Sequence, residues 1–441
     1  MAPILQLSTA ALSLCVSLIA WLRSKPSNPF STADIEPFHI SHYLSNNTIR
    51  SWEQGVWTQA LLEVHNPELT VFATNPFPHG RLPMVPCDLH SVPGLASAAA
   101  YTQVNGTLLC DGGGSPADPA SLGTQAVLLS SRDPCQTRPA FPSAEAFRDA
   151  AKSQAEYLLH NATKFHINET HAATSHRDEP PELWGDFVYT VPPFMAYYGV
   201  AVESAEYLDY AVRECQLYNE ALATDVRLAS GAQCSGLWRH IVSEPRQLPK
   251  DVCCTDPYVW LTSNAWAIAG MTRVLASLKP WTTTRLRSWS DDGRSFDRDA
   301  AIASLTNIIK DMLNCLILQT RGDDSDLLKN YLDGPGSASS AWAFGDAAGT
   351  ALVTSAVYRL ATLLPEVFAK PEYMTWADRN LFAVAKHVHQ DGRVGPVAQI
   401  NGVPSTKAVD TTSEGQSMAL LLYAARRDFL RARGWLGRLG L

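Results

Sequence analysis

The stretch "SHRDEPPELWGDFVYTVPPF", residues 175–194, places a carboxylate, Asp186, at the threshold of an apolar segment. Trp184 stands two residues before it and His176 ten. Two readings compete. In one, Asp186 caps a helix and Trp184 sits in the core, since Asp is among the preferred N-cap residues. In the other, Asp186 is an acid–base carboxylate at the mouth of an aromatic-walled pocket, where a flat or sugar-like ligand stacks.

Working outward, helical segments follow one another. "IRSWEQGVWTQALLEVHNP" puts Trp52, Val56, Ala60 and Leu61 on one stripe and stops at Asn66-Pro67. "DPASLGTQAVLLSS" opens with Asp118 as an N-cap and Pro119 at the first helical position. Amphipathic or small-faced helices continue to the C-terminus, and sustained strand alternation is nowhere evident. Ten to twelve helices joined by Gly- and aromatic-rich turns predict an all-α chain with helix pairs arranged in a ring. Helices opening with small residues ("SNAWAIAG", "GDAAGTA", "SEGQSMA") suit its crowded interior, and the charged helices near 143–160 and 298–320 its outer layer. Residues 70–114 are Pro/Gly-rich and read as an irregular insertion, open to a staple through Cys87 and Cys110. Residues 279–297 form a polar break, read as a surface loop. No linker divides residues 26–441, so one domain is expected.

Composition excludes some functions. The 441-residue chain is 46% hydrophobic and 18% charged, with a net charge of −8, so it is globular and lacks the basic footprint of a nucleic-acid binder. Residues 1–25, "MAPILQLSTAALSLCVSLIAWLRSK", form an apolar run read as a cleaved signal peptide, with a membrane anchor as the alternative. Sequons at Asn46, Asn105, Asn161 and Asn168 point to secretion or a secretory lumen. Eight cysteines outside the run (Cys87, Cys110, Cys135, Cys215, Cys234, Cys253, Cys254 and Cys315) are an even number compatible with disulfides. None has metal-ligand spacing, and His387 and His389 read as surface or helix-end residues. No metal or cofactor is expected.

The helix joints gather the unusual residues: "DPASLG" (118–123), "SHRDEPPELWGDF" (175–187), "SGLWRH" (235–240) and "WLTSNAW" (260–266). There is no phosphate-binding Gly-rich loop, no Gly-x-Ser-x-Gly and no His-Glu-x-x-His. Carboxylate and histidine chemistry in an aromatic pocket remains, which is what glycosidic chemistry uses. Glu414 in "SEGQ" reads as a first-turn helix residue, and Asp291-Asp292 and Asp323-Asp324 as solvated loop pairs.

These segments resemble the unsaturated glucuronyl and rhamnogalacturonyl hydrolases, glycoside hydrolase families 88 and 105, especially fungal members. The resemblance spans roughly residues 48–66 and 118–430. It implies an (α/α)6 barrel and release of a 4,5-unsaturated uronic acid from lyase-cut pectin by vinyl-ether hydration. It further implies Asp186 as catalytic acid–base, protonated through an apolar pocket, and Asp118 as a second pocket carboxylate. His176, Trp184, His240, Trp260, Thr262, Asn264 and Trp266 would contact the sugar. Thr262 stands where many members carry Arg, with Ser263 where Gly is usual, so either another base such as Arg177 or Arg239 grips the uronate carboxylate or the substrate is not a simple unsaturated uronide. The expected partner is an oligosaccharide, met by a monomer. An α-mannanase on the same barrel, or a barrel repurposed for non-hydrolytic sugar binding or small-molecule tailoring, are the alternatives.

Overall fold

A computed structural model describes residues 28–45, 49–134, 141–228, 231–244, 256–289, 296–319, 321, 324–333, 340–400 and 402–438. The apolar N-terminal run, Asn46, Cys135, Cys253, Cys254, Asp291, Asp292 and Asp323 lie outside them.

Twelve helices define the architecture. They are α1 (Ile35–His39, continued by a π turn, Ile40–Leu44), α2 (Ser51–His65), α3 (Pro93–Tyr101), α4 (Gly123–Leu129, preceded by the 3-10 turn Asp118–Leu122), α5 (Ala144–His160) and α6 (Phe187–Ala201). Then come α7 (Ala205–Leu222), α8 (Leu261–Leu278), α9 (Arg298–Ile317), α10 (Ala347–Leu363), α11 (Pro371–Lys386) and α12 (Ser413–Arg438). The even-numbered helices pack each on the next, α2 reaching α4 through the 3-10 turn before it, and α12 closes the ring against α2. The odd-numbered helices lie outside it, giving six helical hairpins and the expected (α/α)6 barrel.

The two layers follow from composition. Every residue of α8 is buried, as are the first fifteen of α10, so these inner helices are mostly apolar or small on every side, with the buried charges they carry, such as Arg273 and Arg359, paired. Outer helices α5, α7 and α11 bury one face only. The tightest inner approach shows why small residues are needed. Pro192 inside α6 removes the amide that would bond the Val188 carbonyl, and α8 brings Gly270 against that oxygen. A Cβ on Gly270 would stand 2.0 Å from it.

Residues 70–114 are irregular for most of their length, yet they also contain α3, an outer helix of the barrel. Gly94 lets α3 sit on α2, since a Cβ there would lie 2.6 Å from the Thr58 carbonyl oxygen. Cys110 is a buried free thiol and Cys87 is disulfide-bonded elsewhere, so the two do not staple the segment to itself. Cys234 and Cys315 form a disulfide linking a joint to outer helix α9, and Cys215 is free and buried. His387 caps the C-terminal end of α11, and Asp324 is exposed.

The sequence showed no strand alternation, but the joints carry short antiparallel ladders. β1 (Lys164–His166) pairs with β2 (Ala172–Thr174), and β3 (Glu182–Trp184) with β6 (Ile241–Ser243). β4 (Ala223–Arg227) pairs with β5 (Gln233–Trp238), and β7 (Val397–Ala398) with β8 (Ala408–Val409). At two to six residues they are too short for a period of two to declare itself.

Candidate active site

The N-terminal ends of five inner helices, α2, α4, α6, α8 and α12, meet around a cavity of about 160 Å³. Its lining includes Trp52 at the start of α2, Asp118 before α4, Trp184 and Asp186 before α6, Trp260 before α8 and Glu414 at the start of α12. His176, Arg177, Tyr189, His240, Trp266 and Ser405 complete its principal walls.

Asp186 occupies the N-cap position of α6, but its own backbone is helical and its side chain makes no capping bond. The carboxylate is therefore free for the pocket, where about a fifth of its side chain remains exposed. Ser263 Oγ donates to its Oδ2 at 3.2 Å, and His240 Nε2 lies 3.5 Å from the same oxygen. Gly185 makes the Ser263 contact possible, because a Cβ there would meet Ser263 Oγ at 2.4 Å. His240 arrives from a distant joint: the β3–β6 ladder pairs Trp184 with Ile241 and so sets His240 beside Asp186. Its Nδ1 is 2.9 Å from Asp256 Oδ2, and the Tyr331 hydroxyl bonds the same Asp256 oxygen.

These neighbours set the protonation states. Burial alone would raise the Asp186 carboxyl, but the hydrogen bond and charge of His240 outweigh it and hold the group below the usual aspartate range. Burial would likewise discharge His240, but bonds to Asp186 and Asp256 hold its pKa up at about 9. The expectation that Asp186 is protonated is thus corrected: a neighbouring imidazolium outweighs the apolar surroundings. The protonated carboxyls are others. Asp118 is pushed up to about 7, chiefly by burial, with Arg177 opposing. Glu414 is raised well above its ordinary value by burial and by the charge of Glu53. Burial drives His176 down to about 3, so it is neutral. Its Nε2 lies 3.6 Å from Asp118 Oδ1, while its ring stacks on Trp184 with centroids 4.9 Å apart.

Asp118 is not the N-cap the sequence suggested. Ala117 holds that position, and the Asp118 amide is instead bonded to Ser115 Oγ at 3.1 Å, which leaves the carboxyl to face the cavity. The tryptophans are fixed at their indole nitrogens: Trp184 donates to Glu182 at 2.7 Å, Trp260 to Asn330 at 2.7 Å and Trp52 to Glu414 at 2.8 Å. Trp266 meets Tyr189 edge-on at 4.4 Å.

Two expected sugar contacts do not line the cavity. Thr262 is buried and donates to Asp346 Oδ2 at 2.6 Å, because its place in the first turn of α8 turns it toward α10. Asn264 accepts from the Trp238 amide at 2.8 Å and donates to the Trp238 and Trp260 carbonyls, so it braces two joints. Arg239 also stays off the cavity wall, and Arg177 is the one Lys or Arg among the described lining residues. Four others went unselected: Trp52, read as helix stripe; Glu414, a first-turn residue as expected but also a pocket carboxyl; and Asp256 and Tyr331, which carry no local motif.

Residues 142–427 match the model of glycosyl hydrolase family 88. The chain belongs to that family and is a glycoside hydrolase. Among solved structures, it is similar to a family 105 glycoside hydrolase of C. acetobutylicum at 14% identity and a TM-score of 0.60, covering 89% of this chain and 99% of that one. A family 88 hydrolase of Bacteroides vulgatus matches at 14% identity and 0.55, covering 91% and 100%. An α-1,6-mannanase, GH76A of Salegentibacter, matches at 10% and 0.53, covering 90% and 98%. At such identities the likeness speaks for the fold. No curated protein matches the chain.

Proposed function

We propose that the enzyme removes a terminal 4,5-unsaturated uronic acid from lyase-cut pectin or a related acidic oligosaccharide by hydrating the vinyl ether. The observation that carries this reading is the charge of the cavity. With Asp118 and Glu414 protonated, His176 neutral, and the His240 charge met by Asp186 and Asp256, Arg177 is the cation left among the described lining residues to face a ligand. The converging N-termini of the inner helices add partial positive charge. An anionic sugar suits such a cavity, and Arg177 is the group to hold its carboxylate. The α-mannanase alternative calls for paired aspartates at one helix end, whereas Asp118, Asp186 and Glu414 come from three separate elements.

The split between the two aspartates supports a division of labour. Asp118 gives its proton to C4, creating an oxocarbenium-like centre at C5. Water adds to C5 as Asp186, kept ionised by His240, takes its proton. The hemiketal then opens and releases the neighbouring sugar. The test is an unsaturated galacturonyl-rhamnose disaccharide, followed by loss of the ultraviolet absorbance of its conjugated double bond. Absence of any loss overturns the substrate reading.

The pH profile separates this scheme from one in which Asp186 acts alone. Activity needs Asp186 ionised and Asp118 protonated, so it should hold from the acid side up to about pH 7 and fall above it as Asp118 loses its proton. Asp118→Asn should abolish that alkaline limb along with most of the rate. A variant that keeps both rate and limb returns the proton transfer to Asp186. Arg177→Gln should raise KM roughly 10- to 100-fold, the worth of a charge-assisted contact, with a smaller change in kcat. An unchanged KM removes Arg177 from carboxylate recognition.

We also propose that the enzyme works outside the cell or in a secretory lumen. The exposed positions of Asn105, Asn161 and Asn168 and the Cys234–Cys315 disulfide support this.

A further inference from the structure

Behind the cavity wall, His240 is gripped from the side away from Asp186. Asp256 is completely buried, and its Oδ2 takes both His240 Nδ1 and the Tyr331 hydroxyl. The Tyr331 oxygen in turn accepts the Ser405 amide at 3.0 Å, and Asn330 Nδ2 donates to the Ser405 carbonyl at 2.7 Å. Asn330 also receives the Trp260 indole. Ser405 and Trp260 both line the cavity, so the wall and the histidine are held by one bonded set. The Asp256 backbone is fixed as well, its carbonyl accepting from the Ile241 amide at 2.9 Å.

We propose that Asp256 and Tyr331 are positioning residues for catalysis: they hold His240 as an imidazolium against Asp186 and tie that charge to the cavity wall at Ser405. Because Asp256 accepts from Nδ1, the imidazole is oriented with Nε2 toward Asp186, and a proton on each nitrogen has a carboxylate to meet. A buried cation is stable only when paired, and two carboxylates bracket this one. The other titratable groups coupled to His240 are His176, which is neutral, and Glu182, which lies across the β3–β6 ladder and is occupied by Ser243 and Trp184. Neither can replace Asp256. The Tyr331 hydroxyl shares the Asp256 oxygen and so limits how strongly Asp256 draws on His240.

The catalytic part of this proposal rests on the pocket reading above; the charge on His240 does not, and is read separately by NMR of the full-length protein labelled at histidine 13Cε1, with the His240 signal assigned by its loss in His240→Gln. In the parent, His240 should remain charged until about pH 9. Asp256→Asn should move that titration down by at least one pH unit. The imidazolium is then held less firmly against Asp186, so kcat should fall roughly 10- to 100-fold with KM little changed. Asp256→Glu should restore part of each. Tyr331→Phe should move the His240 titration upward and raise KM, since the Ser405 amide loses its acceptor. If Asp256→Asn folds and leaves both the His240 titration and kcat unmoved, Asp256 is structural only and the proposal falls. If the titration moves as expected while the parent ignores the unsaturated disaccharide, the positioning of His240 stands and the substrate reading is what failed.

Discussion

Asp186→Asn should lower kcat roughly 10²- to 10⁴-fold, the usual loss when a positioned acid or base is removed, with KM changed little. The geometry makes this a clean substitution. Asn fills the same space, its oxygen can still accept from Ser263, and no capping bond of α6 is lost because Asp186 makes none. His240 retains Asp256, so no buried cation is left unpaired. The variant should therefore have the far-ultraviolet circular dichroism and the thermal transition of the parent to within a few degrees. The measurement is single-turnover loss of vinyl-ether absorbance with both proteins at pH 6. A variant that keeps its rate would mean that the carboxylate serves the fold and that Asp118 or Glu414 manages the chemistry without it.

Glu63→Gln should destabilise the barrel by about 3–5 kcal/mol, the cost of breaking a buried ion pair from one side. Glu63 on α2 lies between two buried arginines, 2.7 Å from Arg273 of α8 and 2.8 Å from Arg359 of α10. Arg359 also reaches Asp428 of α12 at 2.7 Å. Both guanidiniums cover the Phe72 ring, at 5.1 and 4.5 Å from its centroid. Four inner helices thus share one charge network, and the loss of its central carboxylate leaves two like charges facing each other in a dry interior. The expected result is a denaturant midpoint shifted well down at unchanged slope. Replacing Glu63, Arg273 and Arg359 together with apolar residues of similar volume should recover most of the loss, because the buried charges then go and Asp428, the member left, keeps Arg427 at 2.8 Å. A midpoint unmoved by Glu63→Gln would show that water reaches the network. Arg273 also donates to the Tyr189 hydroxyl at 3.0 Å, and Tyr189 lines the cavity, so the single variant should weaken substrate binding as well.

The helices were the legible part, for a physical reason. An apolar stripe at helical spacing is a property of some fifteen consecutive residues, and helices such as Ala144–His160 and Pro371–Lys386 carry it whole. The small-residue openings of α8, α10 and α12 told which helices turn inward, because close approach forbids side chains there whatever the neighbour. Asp186 was legible as a candidate through Trp184 and the apolar run after it. Thr262 was misread because one position on a helix can face the cavity or the next helix, and only the packing of α8 on α10 decides which.

The sequence by itself therefore determined an inward- and outward-facing set of helices and the aromatic joints that hold the chemistry. Tertiary structure alone decided which groups meet and which carry protons. His240 reaches Asp186 through a three-residue ladder, Asp256 reaches His240 across sixteen positions, and Tyr331 reaches Asp256 across seventy-five. A carboxyl's proton depends on burial and on the nearest charge, both set by non-local packing. That is why Asp186, with the apolar run after it, is the ionised one, while Asp118 and Glu414 hold their protons at mildly acidic pH.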